Sequence, residues 1–97
     1  MDIEPGSIVR SKQGRDAGTH YIAVARLDER HLLLADGRTR PVRKPKKKNI
    51  RHVELVAPPP GPLKTWMEAG RRPSDGKIQE MLQPFVAGEV KADGAQG

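Results

Sequence analysis

Short apolar runs alternate with turn residues along the first half of the chain, a pattern that predicts strands. Residues 7–10 (SIVR) read as a first strand. Residues 21–26 (YIAVAR) read as a second, with Ile22 and Val24 on one face and Tyr21, Ala23 and Ala25 on the other. A turn at 27–30 (LDER) leads to a buried third strand at 31–35 (HLLLA). Asp36 and Gly37 signal a hairpin, because a type I′ turn needs positive φ at both central residues. The chain then returns over 38–43 (RTRPVR) as a fourth strand, where Pro41 marks an edge or a bulge. Residues 50–56 (IRHVELV) supply a fifth. Five short strands in about fifty residues predict a small, strongly bent barrel.

After Val56 the pattern changes. Residues 57–62 (APPPGP) hold four prolines, and proline continues neither a ladder nor a helix interior. An extended, polyproline-like linker is expected there. Residues 63–69 (LKTWMEA) predict two helical turns closed by Gly70. A longer helix is predicted over 74–85, with Ser74 as its N-cap. Ile78, Met81, Leu82 and Phe85 fall at i, i+3, i+4 and i+7, a single apolar stripe. Pro84 should weaken its last turn. Residues 87–97 are polar and Gly-rich, and are expected to be disordered. The organisation is then a β unit over 1–56, a linker over 57–62, a helical appendage over 63–86 and a tail over 87–97.

A length of 97 residues allows one small domain plus a tail and excludes a multidomain enzyme. With no cysteine there is no disulfide framework, no thiolate metal site and no Cys nucleophile. His20, His31 and His52 lack metal-ligand spacing, and Asp28 and Glu29 are adjacent turn acids. Neither a catalytic residue, a metal nor a cofactor is expected. No apolar run is long enough to span a bilayer, and no signal-peptide pattern opens the chain. A soluble, cytoplasmic protein is the expectation.

Charge changes the picture more than composition does. Residues 1–56 hold thirteen Lys/Arg against seven Asp/Glu, and residues 57–97 hold five of each. The whole surplus of +6 therefore belongs to the β unit. Residues 38–52 carry eight Lys/Arg and no acid. A polyanion is the natural partner of such a strip.

Three segments carry candidate contacts. Residues 14–18 (GRDAG) place two glycines four apart between strands. Such a loop permits positive φ and close approach of backbone to a ligand, with Lys12 and Arg15 beside it to meet a phosphate; the alternative is an ordinary Gly-containing turn. It is no P-loop, lacking the Gly-Lys-Ser/Thr ending. The second segment is 43–52 (RKPKKKNIRH). Arg43, Lys44, Lys46, Lys47, Lys48, Arg51 and His52 can follow a phosphate backbone, and Asn49 either contacts RNA or accepts positive φ in a turn. If five to eight phosphates are contacted, log K falls with log salt at about −4 to −7. The third is Arg38 and Arg40, which alternate on the expected fourth strand and emerge on one face. Tyr21, Trp66 and Phe85 are the only aromatics. The β unit thus has one aromatic, Tyr21, which stacks on a base or packs the barrel. With so few stacking platforms, phosphates and folded RNA shape should carry recognition. Trp66 either pins the linker to the β unit or anchors a partner, and the Ile78/Met81/Leu82/Phe85 stripe has the same two readings.

Gly6, Val9, Gly14, Gly18 and Val24, in this order and spacing, resemble the KOW motif of small RNA-binding SH3-like barrels. GRDAG, the Asp36–Gly37 turn and RKPKKKNIRHVEL (43–55) extend the likeness. They resemble the L-fourteen-e family of large-subunit ribosomal proteins in archaea and eukaryotes, and the short bacterial KOW-domain RNA-binding proteins related to it. The resemblance covers roughly residues 6–55. It implies a mainly β, five-stranded SH3-like barrel that binds RNA without catalysis, with Gly14, Arg15, Asp16 and Gly18 as the KOW loop. The expected partner is structured RNA, above all large-subunit rRNA, with ribosomal proteins as further neighbours and a monomer away from that complex. The rival is a protein–protein adaptor of the translation or transcription machinery that docks through Trp66 and the C-terminal stripe.

Overall fold

A computed structural model describes residues 3–86; the disordered tail expected over 87–97 lies outside the described residues. Five strands form one antiparallel sheet: β1 (Ile8–Ser11), β2 (His20–Arg26), β3 (His31–Ala35), β4 (Lys46–Asn49) and β5 (Val53–Ala57). Their order is β4-β3-β2-β1-β5. A 3₁₀ turn, Ile50–His52, joins the two edge strands, and two helices follow, α1 (Gly61–Glu68) and α2 (Asp75–Val86).

That short junction curls the sheet. Four Cα steps from Asn49 to Val53 reach at most about 14 Å. The edges of a flat five-stranded sheet stand about 19 Å apart. The sheet therefore bends until its edges approach, although β4 and β5 do not pair and the sheet stays open. The concave face encloses Ile3, Val9, Tyr21, Ala23, Leu32, Leu34 and Val53. Ile8, Ile22, Val24 and Ala35 face the other way and pack under Ile78 and Leu82 of α2. The period-2 reading of β2 holds on both faces, up to a register shift between Ala23 and Ala25.

The fourth strand is not where the sequence suggested. Residues 38–43 form turns because their backbone donors have other partners. Asp36 Oδ1 accepts from the Arg38 and Arg40 N–H groups, both at 2.8 Å. The N–H groups of Asp36 and Gly37 both donate to the Arg40 carbonyl. Pro41 has no donor, and the Val42 N–H donates to Asp75 Oδ1 of α2 at 2.7 Å. The turn is not type I′ either: Gly37 has φ +80°, but among the described residues only glycines have positive φ. Instead the lysine run forms β4, pairing Leu34 with Lys46 and Leu32 with Lys48. An edge strand of lysines is a poor template for pairing with a second chain. Residues 50–52 belong to the 3₁₀ turn, so β5 starts at Val53.

The expected linker shrinks to Pro58–Pro60. Ala57 closes β5, and Gly61 and Pro62 open α1, whose first turn needs no proline N–H. Met67, not Trp66, is the buried residue of α1. It packs where Gly6 (φ +96°) leaves room: a Cβ on Gly6 would stand 2.9 Å from the Pro59 Cβ and 3.2 Å from Met67 Sδ.

Ser74 caps α2 as expected, its Oγ accepting from the Lys77 N–H at 3.1 Å. The helix runs through Pro84 to Val86. Ile78 and Leu82 are fully buried, and Met81 and Phe85 pack against the same core. Each fully buried side chain of this kind contributes about 1.5–3 kcal/mol. The stripe is therefore internal, and the reading of Ile78, Met81, Leu82 and Phe85 as a partner-docking face is corrected. Of that set only Trp66 stands in solvent, at 39% exposure.

Candidate nucleic-acid interface

The loop between β1 and β2 folds around one carboxylate. Gly14 and Gly18 take φ +93° and +94°, the conformation expected of them. Ala17, Gly18 and Thr19 donate their N–H groups to the carbonyls of Gly14, Ser11 and Asp16. Those three donors are thus used within the loop and are not offered to a phosphate.

Asp16 sits at the centre, largely withdrawn from solvent. Its Oδ1 accepts from Ser11 Oγ and Lys48 Nζ, both at 2.9 Å. Its Oδ2 accepts from the Tyr21 hydroxyl at 2.7 Å and from Lys46 Nζ at 2.9 Å. Lys48 Nζ also donates to the Gln13 carbonyl at 2.7 Å. Burial acts to raise the Asp16 pKa, but hydrogen bonds from Lys48, Lys46, Tyr21 and Ser11 together outweigh it and hold the carboxyl far below its usual range. The Tyr21 hydroxyl moves the other way, pushed up first by burial and then by its bond to the charged Asp16.

These contacts divide the basic strip in two. Lys46 and Lys48 sit opposite Leu34 and Leu32, so they point to the concave side of the sheet. Lys48 is only 9% exposed and is paired with Asp16, so it is not a solvent-facing phosphate contact. Acid-free in sequence, the strip has an acid in space. Tyr21 is also buried, which makes it a core residue and not a stacking platform.

Lys12, Arg15, Arg38, Arg40, Arg43, Lys44, Lys47 and Arg51 are exposed and form no ion pair among the described residues. Some of them converge. Arg15, Arg40 and the partly exposed Lys46 line a hollow of about 410 Å³ between the β1–β2 loop and the turn after β3, with Asp16 and Asp36 in its wall. Lys12 and Arg51 line a smaller cleft of about 200 Å³ where the 3₁₀ turn meets the start of the loop. The Lys12 N–H donates to the His52 carbonyl at 2.8 Å, which brings the 3₁₀ turn against the loop. Arg38 faces a separate cleft against α2. Arg43 and Lys44 occupy the turn around Val42, and Lys47 points to the opposite face of β4 from Lys46; none of the three lines these concavities.

Asn49 has φ −68°, so it does not serve the positive-φ role considered for it. Its Oδ1 accepts from the Arg51 N–H at 2.8 Å and caps the 3₁₀ turn.

Sequence reasoning named Asp16 within the loop but missed its role as the hub. An acid five residues before a buried-strand tyrosine, followed later by three consecutive lysines at 46–48, was the available signal. It also missed the polar seam that holds α2: Asp75 on the Val42 N–H, and Gln79 Nε2 on the Gly37 carbonyl at 2.7 Å. Among the described residues no cluster of His, Cys, Asp or Glu is placed to hold a metal ion, and no helix is long and apolar enough to cross a membrane. No family model matches the chain, and no curated protein does either.

Proposed function

We propose that this chain is a non-catalytic binder of structured RNA, built on a KOW-type SH3-like barrel and acting on the ribosome or beside it. The single observation that carries the reading is the meeting of unpaired cations from three separate segments around the β1–β2 loop. Arg15 comes from the loop, Arg40 from the turn after β3, and Arg51 from the 3₁₀ turn, with Lys12 beside it. Cations spaced over two concavities, each lined by a residue of the β1–β2 loop, suit converging phosphates of a folded RNA better than a single small anion. The five-stranded order and the 3₁₀ junction between β4 and β5 are compatible with the barrel class that the sequence resembles.

Asp16 has a definite part in this reading. It pairs with both Lys46 and Lys48 and ties the loop to β4, so that Arg15 is presented on a braced frame. Ordering the loop beforehand lowers what binding must cost in conformational entropy. The adaptor alternative loses most of its surface, because the α2 stripe is internal and only Trp66 remains exposed.

The test is binding of the full chain to a folded rRNA fragment as a function of salt. Contacts from Lys12, Arg15, Arg40 and Arg51 predict a log K against log salt slope of about −3 to −4. A slope near zero, or no binding at low salt, overturns the reading.

A further inference from the structure

A third concavity lies between the β1–β2 loop, the turn after β3 and α2. It encloses about 320 Å³, at the small end of small-ligand sites. Leu82 and Val86 give it an apolar side, and His20, Asp36, Arg38 and Gln83 give it polar groups. The His20 ring already stacks on Phe85, with centroids 5.5 Å apart and planes 30° apart. Burial first, and the Arg10 charge second, lower its pKa, so the ring is neutral at pH 7. The Asp36 carboxylate is fixed in place by two backbone N–H groups. Arg38 is exposed and makes no ion pair among the described residues. The walls are braced by Gln79 on the Gly37 carbonyl and by Asp75 on the Val42 N–H. Thr19 and Asp36 line both this cleft and the cationic hollow, so the two share a wall.

We propose that this cleft takes a single unpaired guanine from the bound RNA. The proposal rests on the RNA reading above. A flat base suits an apolar side next to a neutral ring. Guanine alone offers the O6/N7 acceptor pair that a guanidinium forks onto, and N–H donors on the adjoining edge for a carboxylate. Adenine meets Arg38 with an amino donor beside N7, and the pyrimidines have no N7. A strand whose phosphates rest against Arg15 and Arg40 can turn one base across the shared wall.

The experiment uses the ¹⁵N-labelled full chain, titrated in turn with GMP, AMP, CMP and UMP at one salt concentration. All four carry the same ribose phosphate, so a difference between them reports the base. GMP is expected to shift the His20, Arg38 and Gln83 amides at concentrations about fivefold or more below the others. Arg38→Lys keeps the charge, loses the fork and should erase that preference. Two RNA hairpins differing only in one unpaired loop G or U should then differ about fivefold or more in affinity, and Arg38→Lys should level them. Equal shifts for all four nucleotides, or none in the cleft, overturn the proposal. If both hairpins bind equally and GMP is not preferred, the RNA reading stands and the guanine cleft falls. If neither hairpin binds at low salt, the RNA reading falls, while selective GMP shifts would still support the cleft.

Discussion

Lys48 Nζ lies 2.9 Å from Asp16 Oδ1 although thirty-two residues separate them in the chain. The pair is withdrawn from solvent and bridges the loop after β1 to edge strand β4. Removing one partner from such a pair leaves the other as an uncompensated buried charge. Asp16→Ala should therefore destabilise the fold by about 3 kcal/mol in urea unfolding. Adding Lys48→Met to Asp16→Ala should recover a large part of that loss, because the orphaned ammonium is gone. An Asp16→Ala variant as stable as the parent would show that the pair is not structural.

The pH dependence follows from the direction of each shift. Asp16 has a folded pKa below its unfolded one, so its contribution is complete above about 4 and fades as pH falls through the folded value. His20 also has a lowered pKa but is a base: its contribution is complete above about 6.5 and fades below that. Tyr21 has a raised pKa, so its contribution holds below about 10 and fades above. Melting temperature should form a plateau between about 7 and 10, with a decline in acid that comes in two steps. In Asp16→Asn the lower step should shrink, with a remainder from Asp28, whose pKa is also lowered, first by the Arg30 N–H.

The basic residues should separate into two classes. Arg15→Gln and Arg40→Gln should each flatten the salt slope of RNA binding by about one unit and leave the melting temperature unchanged. Lys48→Gln should do the reverse, lowering stability with little effect on the slope, since its charge is already matched by Asp16. Equal behaviour of all three would mean that the strip acts as one solvated cation cluster.

Glycine substitutions should differ according to their surroundings. Gly18→Ala meets nothing within 4 Å and pays only for its φ of +94°, about 1 kcal/mol. Gly37→Ala adds a Cβ that would stand 2.5 Å from the Asp75 carbonyl oxygen, so it must also push α2 off the sheet. Thermal melts should rank Gly37→Ala well below Gly18→Ala, and hydrogen exchange in α2 should rise only in the former. Equal losses would place the cost in backbone strain alone.

Removing α2 should have a larger effect than removing a tail. A chain ending at Pro58 uncovers Ile8, Ile22, Val24 and Ala35, the sheet face that Ile78 and Leu82 cover. Such a fragment should show collapsed amide dispersion in an NMR spectrum. The point variant Ile78→Ala in the full chain should cost about 2–5 kcal/mol. A folded, cooperatively melting fragment would show that the sheet is independently stable.

The sequence alone determined the features that depend on neighbours along the chain. Period-2 alternation placed β2, a continuous apolar run between turn signals placed β3, Gly14 and Gly18 announced a positive-φ loop, and Ser74 with the stripe from Ile78 to Phe85 marked α2. Proximity in space decided the rest. Residues 38–43 have strand-like composition, yet Asp36 and Asp75 capture their backbone donors and leave no ladder to join. Residues 46–49 look like a solvated lysine run, yet register with β3 makes them a strand and turns Lys46 and Lys48 toward Asp16. The α2 stripe was readable as a helix face, but whether a sheet of this chain or another molecule covered it was not. Periodicity is a local property of side-chain spacing, whereas a carboxylate's partner and the cover over an apolar face depend on which distant segments the curled sheet brings together.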